Sequence, residues 1–271
     1  MQLSTFGWDE VWAGEFSRLN DRGAVEQPAR VSLEHNHVYR VLTASGEQLA
    51  ELAGKVKFVA AGRHEMPAVG DWVILRAPSG VGGRPQIRAV LPRRSVFSRM
   101  AAGRETGEQV VAANIDTVFL VSGLDRDFNP RRIERYLILA RRSGAQPVIV
   151  LNKADLCGDL PAALAAVAEV APEVPVHPVS AVGVVPEVSA LRAYLGAGRT
   201  VALLGSSGVG KSSIINALAG REMVRTGDVR ERDGRGRHTS VHRQLVVLED
   251  GGLVIDTPGM RELQLWDATD T

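Results

Sequence analysis

Between residues 29 and 98, short runs of alternating apolar and polar positions are separated by clusters of glycine, proline and serine. The alternation predicts strands at 30–33, 37–43, 47–52, 71–76 and 86–90, with Ala44-Ser45-Gly46 and residues 78–83 as breakers. Five short strands in so few residues predict a small all-β barrel, and the OB-fold is the common barrel of this size that binds nucleic acid. A small β-domain serving as a spacer would have the same pattern. Near residue 110 the rhythm changes. Apolar runs at 116–121, 146–151, 174–179 and 200–204 are each followed by a helical stretch, at 130–143, 161–170, 186–195 and 211–219. That alternation predicts an α/β domain with a mostly parallel sheet covered on both faces. Residues 244–249 and 252–255 read as a hairpin turning at Asp250-Gly251. Residues 1–28 are polar and weakly patterned around Trp8 and Trp12. The chain therefore divides into an N-terminal extension (1–28), a barrel (29–98) and an α/β domain (99–271).

Composition narrows the setting. No apolar run approaches the roughly 18 residues that span a bilayer. The start, MQLSTFGWDE, lacks the basic and apolar regions of a signal peptide. A single cysteine, Cys157, excludes an internal disulfide and a cysteine-rich zinc site. A cytoplasmic monomer without a membrane partner is expected. The net charge of +1 hides an asymmetry: residues 1–71 hold seven Lys/Arg against ten Asp/Glu. Residues 72–104 hold Arg76, Arg84, Arg88, Arg93, Arg94, Arg99 and Arg104 and no acid. Such an excess predicts attraction to a polyanion such as RNA; the alternative is a solvated basic face with no partner. Only four lysines occur, Lys55, Lys57, Lys153 and Lys211, and the last two fall within motifs.

Gly205-Ser206-Ser207-Gly208-Val209-Gly210-Lys211-Ser212 fits the phosphate loop G-x-x-x-x-G-K-[ST], between an apolar run and a helical one. Glycines let backbone N–H groups turn inward beside a helix N-terminus that favours anions. Lys211 is expected at the β- and γ-phosphates, the Ser212 hydroxyl on Mg²⁺, and Ser213 completes the phosphate-binding set. Asn152-Lys153-Ala154-Asp155 fits N-K-x-D after a strand-like run. A carboxylate at Asp155 can accept the N1–H and the 2-amino proton of guanine, which adenine cannot offer. Asn152 can bond N7, and the Lys153 stem can lie on the base. Ser180-Ala181 stands where a backbone N–H can reach guanine O6. Asp256-Thr257-Pro258-Gly259 fits D-x-x-G, with Asp256 holding Mg²⁺ and the Gly259 N–H on the γ-phosphate. In the loop Gly234-Arg235-Gly236-Arg237-His238-Thr239-Ser240, either Thr239 or Ser240 could cap Mg²⁺ and the γ-phosphate. GTP/GDP and Mg²⁺ are the ligands implied. In conventional GTPases the phosphate loop comes first. Here N-K-x-D and Ser-Ala precede it, an order that a cut and rejoined sheet can accommodate because sites are geometric.

With these motifs the sequence closely resembles the circularly permuted GTPases of the RsgA/YjeQ family, which act on the small ribosomal subunit. The resemblance also covers Ala68-Val69-Gly70-Asp71-Trp72-Val73, Ala112-Ala113-Asn114-Ile115-Asp116 and Gly236-Arg237-His238-Thr239. It implies an N-terminal OB-fold barrel, a circularly permuted P-loop GTPase domain, and GTP hydrolysis stimulated by the small subunit during late maturation, with contact to rRNA. The family's usual C-terminal zinc domain has no Cys/His cluster to match it before Thr271, so no zinc is expected in this chain.

A glutamine often orients the attacking water in the D-x-x-G loop. Met260 follows Gly259 here, and a thioether is a poor partner for water. His238 is the candidate for that role, by its chemistry and by the resemblance, unless it is merely a loop histidine. Two other function classes fit the same sequence: a GTP-dependent ribosome- or RNA-binding module with negligible hydrolysis, and an RNA-binding protein whose barrel is the active part.

Overall fold

The computed structural model describes residues 2–21, 23–35, 38–54, 63–78, 82–100, 108–125, 128–183, 186–224 and 243–256. Five strands form the barrel: β1 (Glu26–His35), β2 (Val38–Thr43), β3 (Gly46–Leu52), β4 (Trp72–Arg76) and β5 (Gln86–Val90). Their order is β1-β2-β3-β5-β4, and β4 returns to pair with β1. The closure removes the sheet edges, and the pattern is that of an OB-fold. Strand β1 is long enough to serve both β2 and β4 because its register shifts between Val31 and Leu33, a bulge that bends the strand. Ala29, Val31, Tyr39, Val41, Ala50, Val73, Leu75 and Ile87 point inward and fill the barrel.

A hairpin of β6 (Val96–Met100) and β7 (Glu108–Ala113) follows, which the apolar pattern did not reveal. The α/β domain contains β8 (Thr117–Gly123), α2 (Pro130–Ser143), β9 (Gln146–Asn152), α3 (Leu160–Val170), β10 (Val176–Pro178), β11 (Thr200–Leu204), α4 (Lys211–Ala219), β12 (Gln244–Val247) and β13 (Leu253–Asp256). The sheet order is β10-β9-β8-β11-β13-β12, parallel except for β12. Strands β8 and β11 read as unbroken apolar runs because both of their faces are covered. Helix α2 starts at the Asn129 cap, whose side chain accepts the Arg132 N–H, and stops at Gly144 in the left-handed region.

The helix expected over 186–195 is instead a 3₁₀ turn, Ser189–Tyr194. A bridge holds Glu187 extended against Ser180, and the buried Val188 and Leu191 follow a three-residue spacing that suits the tighter coil. Among the described residues no helix is long and apolar enough to cross a membrane.

The N-terminal segment packs into the molecule. Helix α1 (Glu10–Leu19) buries Trp12, Phe6 is also buried, and Trp8 meets the Trp72 ring at 4.7 Å between centroids. Strand β1 begins at Glu26, inside the stretch read as an extension. Arg30, fully buried, binds the two domains and this segment together: it donates to the Phe6, Gly70 and Asn114 carbonyls. Gly70 has φ +93, and a Cβ there would lie 2.1 Å from the Ala113 carbonyl oxygen. Only glycine permits the barrel to approach β7 so closely.

The described arginines of this stretch all stand beside acids rather than on a free basic face. Arg76 and Arg88 both bind Glu26, Arg84 binds Glu51, Arg93 binds Asp71, and Arg94 binds Asp9 while lying over Trp12. The acids come from distant parts of the chain, so a window over 72–104 shows charge without its partners. The Arg99 side chain and Arg104 lie outside the described residues.

Candidate nucleotide-binding site

The described motifs meet at the C-terminal ends of the parallel strands, where open α/β sheets bind ligands. The phosphate loop leaves β11, N-K-x-D leaves β9, Ser180-Ala181 follows β10, and Asp256 ends β13. In the phosphate loop Gly208 and Gly210 have φ +77 and +95. A Cβ at Gly205 would stand 2.4 Å from the Val121 carbonyl oxygen, so the loop's root requires glycine to lie against β8. Lys211 Nζ donates to the carbonyl oxygens of Gly205 and Ser206, both at 2.7 Å, which puts the ammonium at the loop.

Asn152, 2% exposed, is the hub. Its Nδ2 donates to the Val209 carbonyl at 2.8 Å, and its Oδ1 accepts the Ala181 N–H at 3.1 Å. One side chain thereby ties together the phosphate loop, the N-K-x-D loop and the Ser-Ala turn. A Cβ on Gly210 would lie 2.2 Å from Asn152 Nδ2, so this glycine is needed for space as well as for its backbone angle. Lys153 has φ +64, a backbone state that costs a lysine about 1–3 kcal/mol and concentrates at functional sites. Its Nζ reaches Asp125 Oδ2 at 2.5 Å. The Asp155 Oδ1 accepts the Ser180 hydroxyl at 2.6 Å, while the Ala154 N–H donates to the Val179 carbonyl at 3.1 Å. Loops after three strands are thus cross-bonded before any ligand is considered.

Burial raises the Asp256 carboxyl above its ordinary pKa, and the nearby Lys211 ammonium opposes the rise. Among the described residues nothing donates a hydrogen bond to it. A desolvated carboxylate without a donor, near the start of α4 where Ser212 sits, suits a hard divalent cation with oxygen ligands. The residues therefore fit Mg²⁺. His238, Thr239, Ser240 and Gly259 lie outside the described residues.

Two contacts were not foreseen. Arg132, in the first turn of α2, donates to Ser206 Oγ at 3.0 Å. Asp125, just past β8, takes the Lys153 ammonium. Neither belongs to a motif; the one available hint was an acid at the C-terminal end of a strand.

The family model described as RsgA GTPase matches residues 90–266. A protein of Opitutus terrae named small ribosomal subunit biogenesis GTPase RsgA is 49% identical over 273 residues, covering 98% of this chain and 74% of the relative. A Xylella fastidiosa protein of the same name is 48% identical over 244 residues, covering 88% and 68%. Among solved structures, YjeQ from Thermotoga maritima superimposes with a TM-score of 0.65 at 27% identity, over 89% of this chain and 77% of that one. YloQ, titled a circularly permuted GTPase, shares the fold with a TM-score of 0.61 at 18% identity, over 91% and 76%. Motifs in permuted order, gathered at one edge of the sheet behind an OB-fold barrel, agree with these likenesses: the chain belongs to the RsgA GTPase family and is a circularly permuted, GTP-hydrolysing enzyme.

Proposed function

We propose that this enzyme couples GTP hydrolysis to late maturation of the small ribosomal subunit, acting as a cytoplasmic monomer that contacts rRNA. The observation that carries the nucleotide part is the pair of Asn152 hydrogen bonds to Val209 and Ala181. They hold a phosphate-binding loop and a base-reading loop at a fixed separation, which is what a nucleoside triphosphate requires. The naming of the chain's relatives as small ribosomal subunit biogenesis GTPases supports the ribosomal part.

In this reading Asp155 accepts the two guanine donors, held in orientation by the Ser180 hydroxyl, and the Ala181 side of the turn faces guanine O6. The N–H groups of residues 205–213 cradle the phosphates, and Lys211 leaves the Gly205 and Ser206 carbonyls for the β- and γ-oxygens. Ser212 and Asp256, with Thr239 or Ser240, would hold Mg²⁺, which supplies charge compensation at the phosphates. The Gly259 N–H meets the γ-phosphate. His238 orients the attacking water, because Met260 cannot. Positioning and electrostatics carry such a reaction. The barrel's contact with RNA then needs groups other than Arg76, Arg84, Arg88, Arg93 and Arg94, which are engaged within the fold.

The test is GTP turnover with no addition, with purified small subunits and with large subunits. Stimulation by small subunits alone is expected. Equal rates in all three would overturn the ribosomal role while leaving the GTPase intact.

A further inference from the structure

Among the described residues, basic charge without acidic partners lies not on the barrel but on α2. Its 14 residues hold five arginines and one glutamate. Ile133, Leu137 and Ala140 are its buried face. On the other side Arg131, Arg135, Ile138 and Arg142 follow each other at steps of four, three and four, a single stripe, with Arg141 beside it. The stripe runs about 16 Å at 1.5 Å per residue.

Two observations set these arginines apart. First, exposed arginines elsewhere among the described residues have carboxylate partners: Arg18 with Glu15, Arg84 with Glu51, Arg94 with Asp9, Arg192 with Asp250, Arg199 with Asp116 and Arg221 with Glu249. Arg135, Arg141 and Arg142 are exposed and have no ion-pair partner among the described residues. Second, the first turn of the helix carries cations against its macrodipole. Arg141 and Arg142 suit the negative C-terminal end, but Arg131, paired with Glu134 at 3.0 Å, and Arg132 stand in a first turn that has no acid. There the helix macrodipole opposes cations. A sequence selected for helix stability alone would place acids there.

We infer that the outward face of α2 docks structured RNA, with Arg135, Arg141 and Arg142 binding its phosphates. Planar guanidinium groups bind phosphate oxygens in pairs, which favours arginine over lysine on such a surface. The position matters for the enzyme: the same helix also holds Arg132, which donates to Ser206 Oγ of the phosphate loop at 3.0 Å. That the RNA is rRNA of the small subunit rests on the proposed function; the phosphate chemistry does not.

The experiment uses the full chain and its Arg135→Gln/Arg141→Gln/Arg142→Gln variant. Binding to purified small subunits, and separately to their deproteinised rRNA, is measured at several salt concentrations. The expected result is weaker binding to both probes, with the log–log salt slope lower by about 2–3 for three lost phosphate contacts. GDP affinity and basal GTP turnover should be unchanged, and the corresponding triple lysine variant should keep most of the slope. An unchanged slope and affinity on the rRNA overturns the inference. Loss on whole subunits without loss on the rRNA also overturns it, in favour of an acidic protein partner. If the wild type binds the rRNA through these arginines but never the subunits, the inference stands and the ribosomal reading fails. Should the triple variant fold poorly, Arg135→Gln and Arg142→Gln are tested singly, each expected to lower the slope by about 0.7–0.9.

Discussion

Replacing Arg93 with alanine separates a structural arginine from an RNA-binding one. Its guanidinium makes four polar contacts. Nε and Nη2 grip Asp71 at 2.8 and 2.7 Å, and Nη1 and Nη2 donate to the His64 and Met66 carbonyls at 2.5 and 2.7 Å. The Asp71 side chain is 0% exposed and that of Arg93 is 14% exposed. Burial raises the Asp71 carboxyl above its ordinary pKa, and Arg93 is the chief group opposing that rise. Removing one partner of a buried pair costs about 3–5 kcal/mol. Arg93 is partly exposed, so water recovers some of that cost, and about 3 kcal/mol is expected, with a loss of roughly 12–24 °C in the Tm of a domain of the barrel's size. Lowering the pH should shrink the deficit, because a protonated Asp71 is neutral and no longer misses its counter-charge. Thermal unfolding of wild type, Arg93→Ala, Arg93→Lys and the double variant Arg93→Met/Asp71→Leu gives the comparison, with the double variant expected to be less destabilised than Arg93→Ala. A Tm within about 1 °C of wild type, together with a lower salt slope for RNA binding, would refute this reasoning and restore Arg93 to the solvated surface.

Gly210→Ala should weaken GDP and GTP binding by roughly 2 kcal/mol, about thirtyfold, from left-handed strain and the displaced Asn152 amide; calorimetric titration with either nucleotide measures it, and unchanged affinity would mean that the loop opens at no cost. Asp155→Asn should lower GTP affinity by about 1.5–3 kcal/mol and let xanthosine triphosphate compete, because xanthine carries an acceptor where guanine carries the 2-amino group; a competition assay with both nucleotides decides. Glu26 is the pH-dependent member: burial would raise its carboxyl, but Arg88, the Asp21 N–H and Arg76 outweigh burial and hold it below its ordinary 4.5. Its stabilisation is therefore fully present above pH 4.5 and is lost as the pH falls through the depressed value. The Tm gap between wild type and Glu26→Gln should narrow below pH 4.5, and a widening gap would contradict the assignment.

Local pattern was sufficient wherever the physics is local. Strands β5 and β11 and helices α2 and α4 follow from periodicity, from a Pro and Asn start and from a glycine stop, all within a few residues of each other. The phosphate loop and N-K-x-D could be read because their chemistry is carried by adjacent side chains. What depended on tertiary structure involves groups far apart in the chain. The partner of Asn152 lies 57 residues away at Val209, that of Arg132 lies 74 away at Ser206, and Arg94 finds Asp9 across 85. The segment 1–28 looked detached because its apolar residues, Phe6, Trp8 and Trp12, meet their neighbours only once the barrel has closed. Charge shows the same limit most clearly. A window of sequence sums arginines along the chain, but a field at the surface depends on which acids stand within a few ångströms. Only folding could show that the arginines of residues 72–94 are spent on Asp9, Glu26, Glu51 and Asp71, while Arg135, Arg141 and Arg142 on the outer face of α2 have no ion-pair partner among the described residues.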